Sequence, residues 1–124
     1  MNEQLDDFVN QRLPLPGLLA WGAALPDGSF KNNGYSDGFH AAQLQSFLQR
    51  LERLSRKLSP CGTEGVRFCW TFQLVRVYTV CTAEGASLML CMRGEPRFAS
   101  EAMFNVLAEF EKLRWAETVP AARA

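Results

Sequence analysis

The sequence predicts a small α+β domain of five strands covered by helices on both faces, in the order α-β-β-α-β-β-β-α. Residues 66–93 form a nearly unbroken run of β-branched, aromatic, Cys and Leu/Met side chains, with one strong turn signal at Ala83-Glu84-Gly85. That pattern predicts three consecutive antiparallel strands. Residues 39–58 repeat apolar side chains at helical spacing, and Pro26-Asp27-Gly28-Ser29 joins two further strand-like segments as a tight turn.

Taken in order, Leu5, Phe8 and Val9 recur at i, i+3 and i+4, with Glu3, Asp6 and Asp7 near the positive end of the helix dipole. This predicts a short amphipathic helix over 3–12. Leu13-Pro14-Leu15-Pro16-Gly17 stops it, because proline lacks an amide donor and biases its predecessor toward extended geometry. Residues 18–25 (LLAWGAAL) are apolar throughout, and their small members suit a central strand packed closely on both faces. The returning strand, 30–35, is polar and suits a sheet edge.

From Phe39 to Leu58, Leu44, Phe47, Leu48, Leu51, Leu54 and Leu58 are read as one stripe, and Arg53, Arg56 and Lys57, near the negative end of the dipole, as a solvated face rather than a site for an acidic partner. In the strand run, Phe68, Trp70 and Phe72 alternate with Arg67, Cys69 and Thr71, predicting a strand with one aromatic face. Residues 74–82 predict a strand with two distinct faces, and 86–92 a central one. A last helix is expected from about 98–100, capped by Ser100 and ending near Trp115. One domain over 1–117 and a frayed tail over 118–124 complete the plan.

A chain of 124 residues is long enough for one core without disulfides or metal. Thirteen basic and thirteen acidic residues cancel, so no strong field gathers nucleic acid or an anionic membrane. Neither an apolar run of the ~20 residues that span a bilayer nor a signal-like start is present, which predicts a cytoplasmic protein without membrane insertion. Cys61, Cys69, Cys81 and Cys91 form no C-x-x-C pair, and the only histidine is His40. These thiols are read as small buried apolar groups rather than metal ligands or disulfides.

The chain contains no nucleophile elbow, phosphate-binding glycine loop, dinucleotide fingerprint or zinc-protease helix motif. Asp6 with Asp7, and Glu109 with Glu111, are read as solvated helical carboxylates rather than an acid/base pair. No catalytic residue, metal or cofactor is therefore assigned. The row Phe68, Trp70 and Phe72 fits core, a nucleobase-stacking platform or a subunit interface. The platform needs a basic groove, and only Arg67 and Arg76 are near. An interface is favoured, because an aromatic edge strand can be protected by pairing with its own copy across a two-fold axis. The expected homodimer surface is Phe47, Leu48, Leu51, Leu54 and Leu58 of the helix, with Phe68, Cys69, Trp70 and Phe72 of the strand.

The segment Leu15-Pro16-Gly17-Leu18-Leu19-Ala20-Trp21-Gly22-Ala23-Ala24-Leu25, the Asp27-Gly28 hairpin and the helix over Leu48–Leu58 resemble the roadblock/dynein light chain LC7 family across about 3–115. The chain departs from the pattern in its polar second strand, in the lack of glycine near Gln73-Leu74, and at Phe98–Ser100. The resemblance implies a five-stranded antiparallel sheet with one helix on one face and two on the other. It also implies a non-enzymatic homodimeric adaptor or regulator of a Ras-like small GTPase or a related multiprotein complex. The alternative is a profilin-like or PAS-like sensory domain, binding a small ligand between sheet and helix near Trp21, Phe47 or Trp70.

Overall fold

The structure is a computed structural model in which residues 3–35, 41–58, 66–82 and 84–115 are described. His40, Cys61 and the tail beyond Trp115 lie outside them. The elements are α1 (Glu3–Arg12), β1 (Leu18–Ala24), β2 (Phe30–Gly34), α2 (Ala41–Leu58), β3 (Val66–Thr71), β4 (Val75–Cys81), β5 (Ser87–Arg93) and α3 (Glu101–Glu111). This is the expected order, with strand ends differing by a residue or so.

Turn chemistry explains the first hairpin. Asp27 accepts hydrogen bonds from the Ser29 hydroxyl at 2.6 Å and the Ser29 amide at 2.9 Å, while Gly28 takes φ +91°. The same two bonds, the hydroxyl's first, hold the Asp27 carboxyl below its ordinary range. All strand pairs are antiparallel, in the spatial order β2-β1-β5-β4-β3. The β5 strand is thus the middle of the sheet and β2 and β3 its two edges.

Period-two geometry sorts the β5 side chains onto two cores. Leu88, Leu90 and Met92 face α1, α3 and Trp115, whereas Met89 and Cys91 face Leu44, Leu48 and Leu51 of α2. Burial on both faces is why this strand shows no polar alternation in sequence. Two helices therefore lie on one face and one on the other, the α+β arrangement expected.

Glycine is needed at two of the close approaches. A Cβ on Gly22 would lie 2.8 Å from Leu48 Cδ1 and 3.0 Å from Phe30 Cζ, so β1 lets α2 settle directly onto the sheet. At Gly17, φ is +80° and a Cβ would overlap the Phe98 ring.

Several expectations are corrected. A short 3-10 turn at Pro96–Phe98 precedes α3, whose Ser100 does accept the Met103 amide at 3.2 Å as its cap. The helix stops at Glu111, and Trp115 lies beyond it rather than at its end. Its ring is buried 5.4 Å from that of Phe110, and its amide donates to Glu84 at 2.8 Å. Leaving the helix is what lets this large ring reach the core. Cys81 and Cys91 are buried, but Cys69 is exposed, because its β3 position is on the sheet's outermost strand. Of the helical carboxylates, Asp6 pairs with Lys31, Glu109 with Arg12 and Glu111 with Arg67, tying separate elements together at the surface. Such exposed pairs contribute at most about 1 kcal/mol each.

Two outcomes are expected from this packing. Gly22→Val should lower unfolding stability by about 1–3 kcal/mol in a urea titration, since the added carbons meet Leu48 and Phe30. An unchanged midpoint would show that α2 does not rest on β1. Burial pushes the Cys91 thiol up to about 11 from its ordinary 9.0. It holds its proton in the fold over an interval where the unfolded chain releases it. The stabilisation is complete below about pH 9 and is withdrawn as pH climbs toward about 11. Thiol labelling at mildly alkaline pH should modify Cys69 in the native protein and Cys91 only after unfolding. Comparison with Cys69→Ser isolates the first; equal native rates for both thiols would contradict this burial.

Candidate protein-interaction face

The position of α2 creates the most unusual surface of the molecule. Leu44, Leu48, Leu51 and Ser55, at i, i+4, i+7 and i+11, are its buried line. This line places the helix over β1, β2, β4 and β5, with β3 beside it rather than beneath it. The α2-facing side of β3 is left half-open.

On that side, Phe68 and Trp70 rings lie 6.3 Å apart and nearly parallel, at 23°. Phe72 is 42% exposed and meets Phe47 of α2 with ring centroids 5.4 Å apart. Trp70 Nε1 donates to Ser55 Oγ at 3.0 Å, joining the edge strand to the helix. In line with Phe47 and further along α2, Leu54 and Leu58 are 46% and 62% exposed. Leu74, in the β3–β4 turn, is 77% exposed. On this side Phe47, Leu54, Leu58, Phe68, Trp70 and Phe72 leave an apolar band along the open edge of the sheet. Contiguous exposed apolar surface of this kind marks interaction sites on soluble proteins.

The expected interface residues divide three ways. Phe47, Leu54, Leu58, Phe68, Trp70 and Phe72 are brought together here. Leu48 and Leu51 are buried against the protomer's own sheet and offer nothing to a partner. Cys69 is on the opposite side of β3 from Trp70, with Arg67, whose guanidinium pairs with Glu111 of α3 at 2.6 Å. The single six-residue apolar stripe read on the helix is in fact two adjacent lines.

Sequence reading missed Ser55. Ser55 is four residues after Leu51 and seven after Leu48, and that spacing was the available signal. It belongs to a polar layer under the C-terminal half of α2. There Arg56 pairs with Glu52 at 2.6 Å and donates to Ser87 Oγ at 2.7 Å, and Ser87 in turn donates to Glu52 at 3.2 Å. Arg56 is thus tied to the sheet rather than simply solvated.

Elsewhere, Trp21 lines a cleft of about 480 Å³ between α1 and β2 with Asp6, Val9, Asn10, Asn33 and Tyr35. Phe47 borders a hollow of about 330 Å³ with Gln43, Ser46 and Arg50. Among the described residues, no group of three or more His, Cys, Asp or Glu side chains is placed to hold a metal ion. No described helix is long and apolar enough to cross a membrane.

No family model and no curated protein matches the sequence. Solved structures do match by shape. MglC from Myxococcus xanthus is similar with a TM-score of 0.51 and 14% identity, over 86% of this chain and 92% of that one. Myxococcus xanthus MglB is similar with a TM-score of 0.50 and 10% identity, over 77% of this chain and 75% of that one. With its α-β-β-α-β-β-β-α order and its β2-β1-β5-β4-β3 sheet, the chain has the roadblock/LC7 fold.

Proposed function

We propose that the chain is a non-enzymatic adaptor or regulator in the cytoplasm, forming a homodimer through α2 and β3. Its outer surfaces would then engage a Ras-like small GTPase or a related multiprotein complex. The observation that carries the association is the half-open row Phe68, Trp70 and Phe72 beside Phe47, Leu54 and Leu58 on an edge strand. Closing that edge with a second β3 would satisfy unpaired backbone groups and remove the apolar band from water at once. The GTPase partner is drawn from what the roadblock resemblance implies, and the similar folds of MglB and MglC support it at the level of fold.

A second reading has its own observation. The cleft of about 480 Å³ beside Trp21 mixes a carboxylate and amides with Val9, Leu13 and Pro14, a lining suited to a small polar ligand. A bound small molecule detected by native mass spectrometry would favour sensing over adaptor work.

Light scattering across a concentration series should find a species near twice 13.9 kDa. Leu54→Ser and Phe72→Asp, both at exposed positions, should preserve the far-UV circular dichroism spectrum and weaken self-association by at least about tenfold, because the first removes apolar contact and the second buries a carboxylate against the aromatic row. A chain that stays monomeric at every concentration would remove the homodimer, and variants that dimerise as well as the parent would remove this interface. For the partner, capture by the immobilised chain should distinguish GTP-loaded from GDP-loaded small GTPases. Equal or absent capture across the GTPases of the same cell would count against that assignment.

A further inference from the structure

The charges on the α2–β3 face bear on which partner it takes, a preference that rests on the reading of that face as an association surface. A two-fold contact presents the same patch from both copies, so the patch must be complementary to itself. Apolar side chains satisfy that condition. A patch of one charge sign does not.

On α2, Arg50 is four residues before Leu54, Arg53 one residue before it and Lys57 three after it. The four side chains line a common hollow of about 250 Å³. Arg50, Arg53 and Lys57 make no ion pair with another described residue. The only carboxylate on α2 is Glu52, and it is committed to Arg56 and Ser87. The β3 strand contains no Asp or Glu. Although the whole chain is neutral, this face is apolar with cations along one side, and among the described residues of α2 and β3 no free carboxylate answers them.

A second copy would bring the same three cations toward the first. We infer that the face prefers a partner helix whose apolar stripe is edged by Asp and Glu, and that like charge makes self-association through it weaker than that pairing. Apolar burial supplies attraction to either occupant, and charge selects between them.

A charge-reversed copy of the chain serves as a defined acidic partner. The triple variant Arg50→Glu, Arg53→Glu, Lys57→Glu keeps every apolar residue of the face and changes only exposed positions. Mixed with the parent chain, it should form mixed dimers with a Kd at least about tenfold tighter than either self-dimer, measured by native mass spectrometry with a mass tag on one chain. Raising salt from roughly 0.05 M to roughly 0.5 M shortens the screening length several-fold. It should tighten the parent self-dimer and loosen the mixed dimer. The neutral variant Arg50→Gln, Arg53→Gln, Lys57→Gln checks the same point if the acidic one misfolds. It should self-associate about fivefold more tightly than the parent and lose the salt effect.

The outcomes separate the two readings. A statistical mixture of dimers with a salt-insensitive parent overturns the charge preference and leaves the homodimer standing. A parent chain that is monomeric alone but pairs with the reversed copy upholds the preference and removes the homodimer. No association in any combination overturns both.

Discussion

The seating of Leu48 against Gly22 is the contact on which the rest of the architecture depends. An α-helix can approach a sheet this closely only where the strand beneath it has no side chain in the way, and β1 supplies Ala20 and Gly22 on that face. The helix is drawn toward β1 and β2 and away from the far edge. The strand left beside it, β3, nevertheless has Phe68 and Trp70 on the same side, with Phe72 just past its end. The open aromatic row is thus a consequence of where glycine was placed on another strand.

Under α2, packing changes character along its length. Leu44, Leu48 and Leu51 meet Ala20, Val77, Met89 and Cys91, an apolar contact of ordinary kind. Further along, Ser55, Ser87 and Thr79 are buried, and Arg56 with Glu52 closes over Ser87. Hydrogen bonds in this layer need particular geometry, whereas apolar contacts tolerate sliding. The polar half therefore sets the rotation of the helix, and with it which side chains turn toward β3. That rotation puts Leu54 and Leu58 in solvent beside the aromatic row instead of beneath the sheet.

The two sides of the molecule are suited to different work. The face built from α1, α3 and Trp115 is a closed core tied at its surface by ion pairs between elements. The other face has an edge strand, a row of half-buried rings and a helix flank bearing cations. A folded domain of this size gains little by leaving so much apolar surface wet, so the open face is where association makes physical sense. Rigid support beneath it, from a five-stranded sheet whose central strand is buried on both sides, holds its shape ready for a partner.

Element type and order were legible in the residues, because hydrophobic period, turn chemistry and helix caps are local properties. The Asp27-Gly28 turn, the Ser100 cap and the two-sided burial of β5 are all of this kind. The α2 stripe was legible only as a whole. Leu54 and Ser55 are neighbours in the chain, and which of them enters the core depends on the helix's rotation, a long-range matter decided by Gly22 on β1 and Ser87 on β5. The same holds for Trp115, which leaves its helix because a pocket formed by distant residues accepts it. Sequence alone determined the five strands, the three helices and the aromatic side of β3. Only tertiary packing decided that α2 stops short of that strand, since the offset between a helix and a sheet edge is set by contacts among residues far apart in the chain.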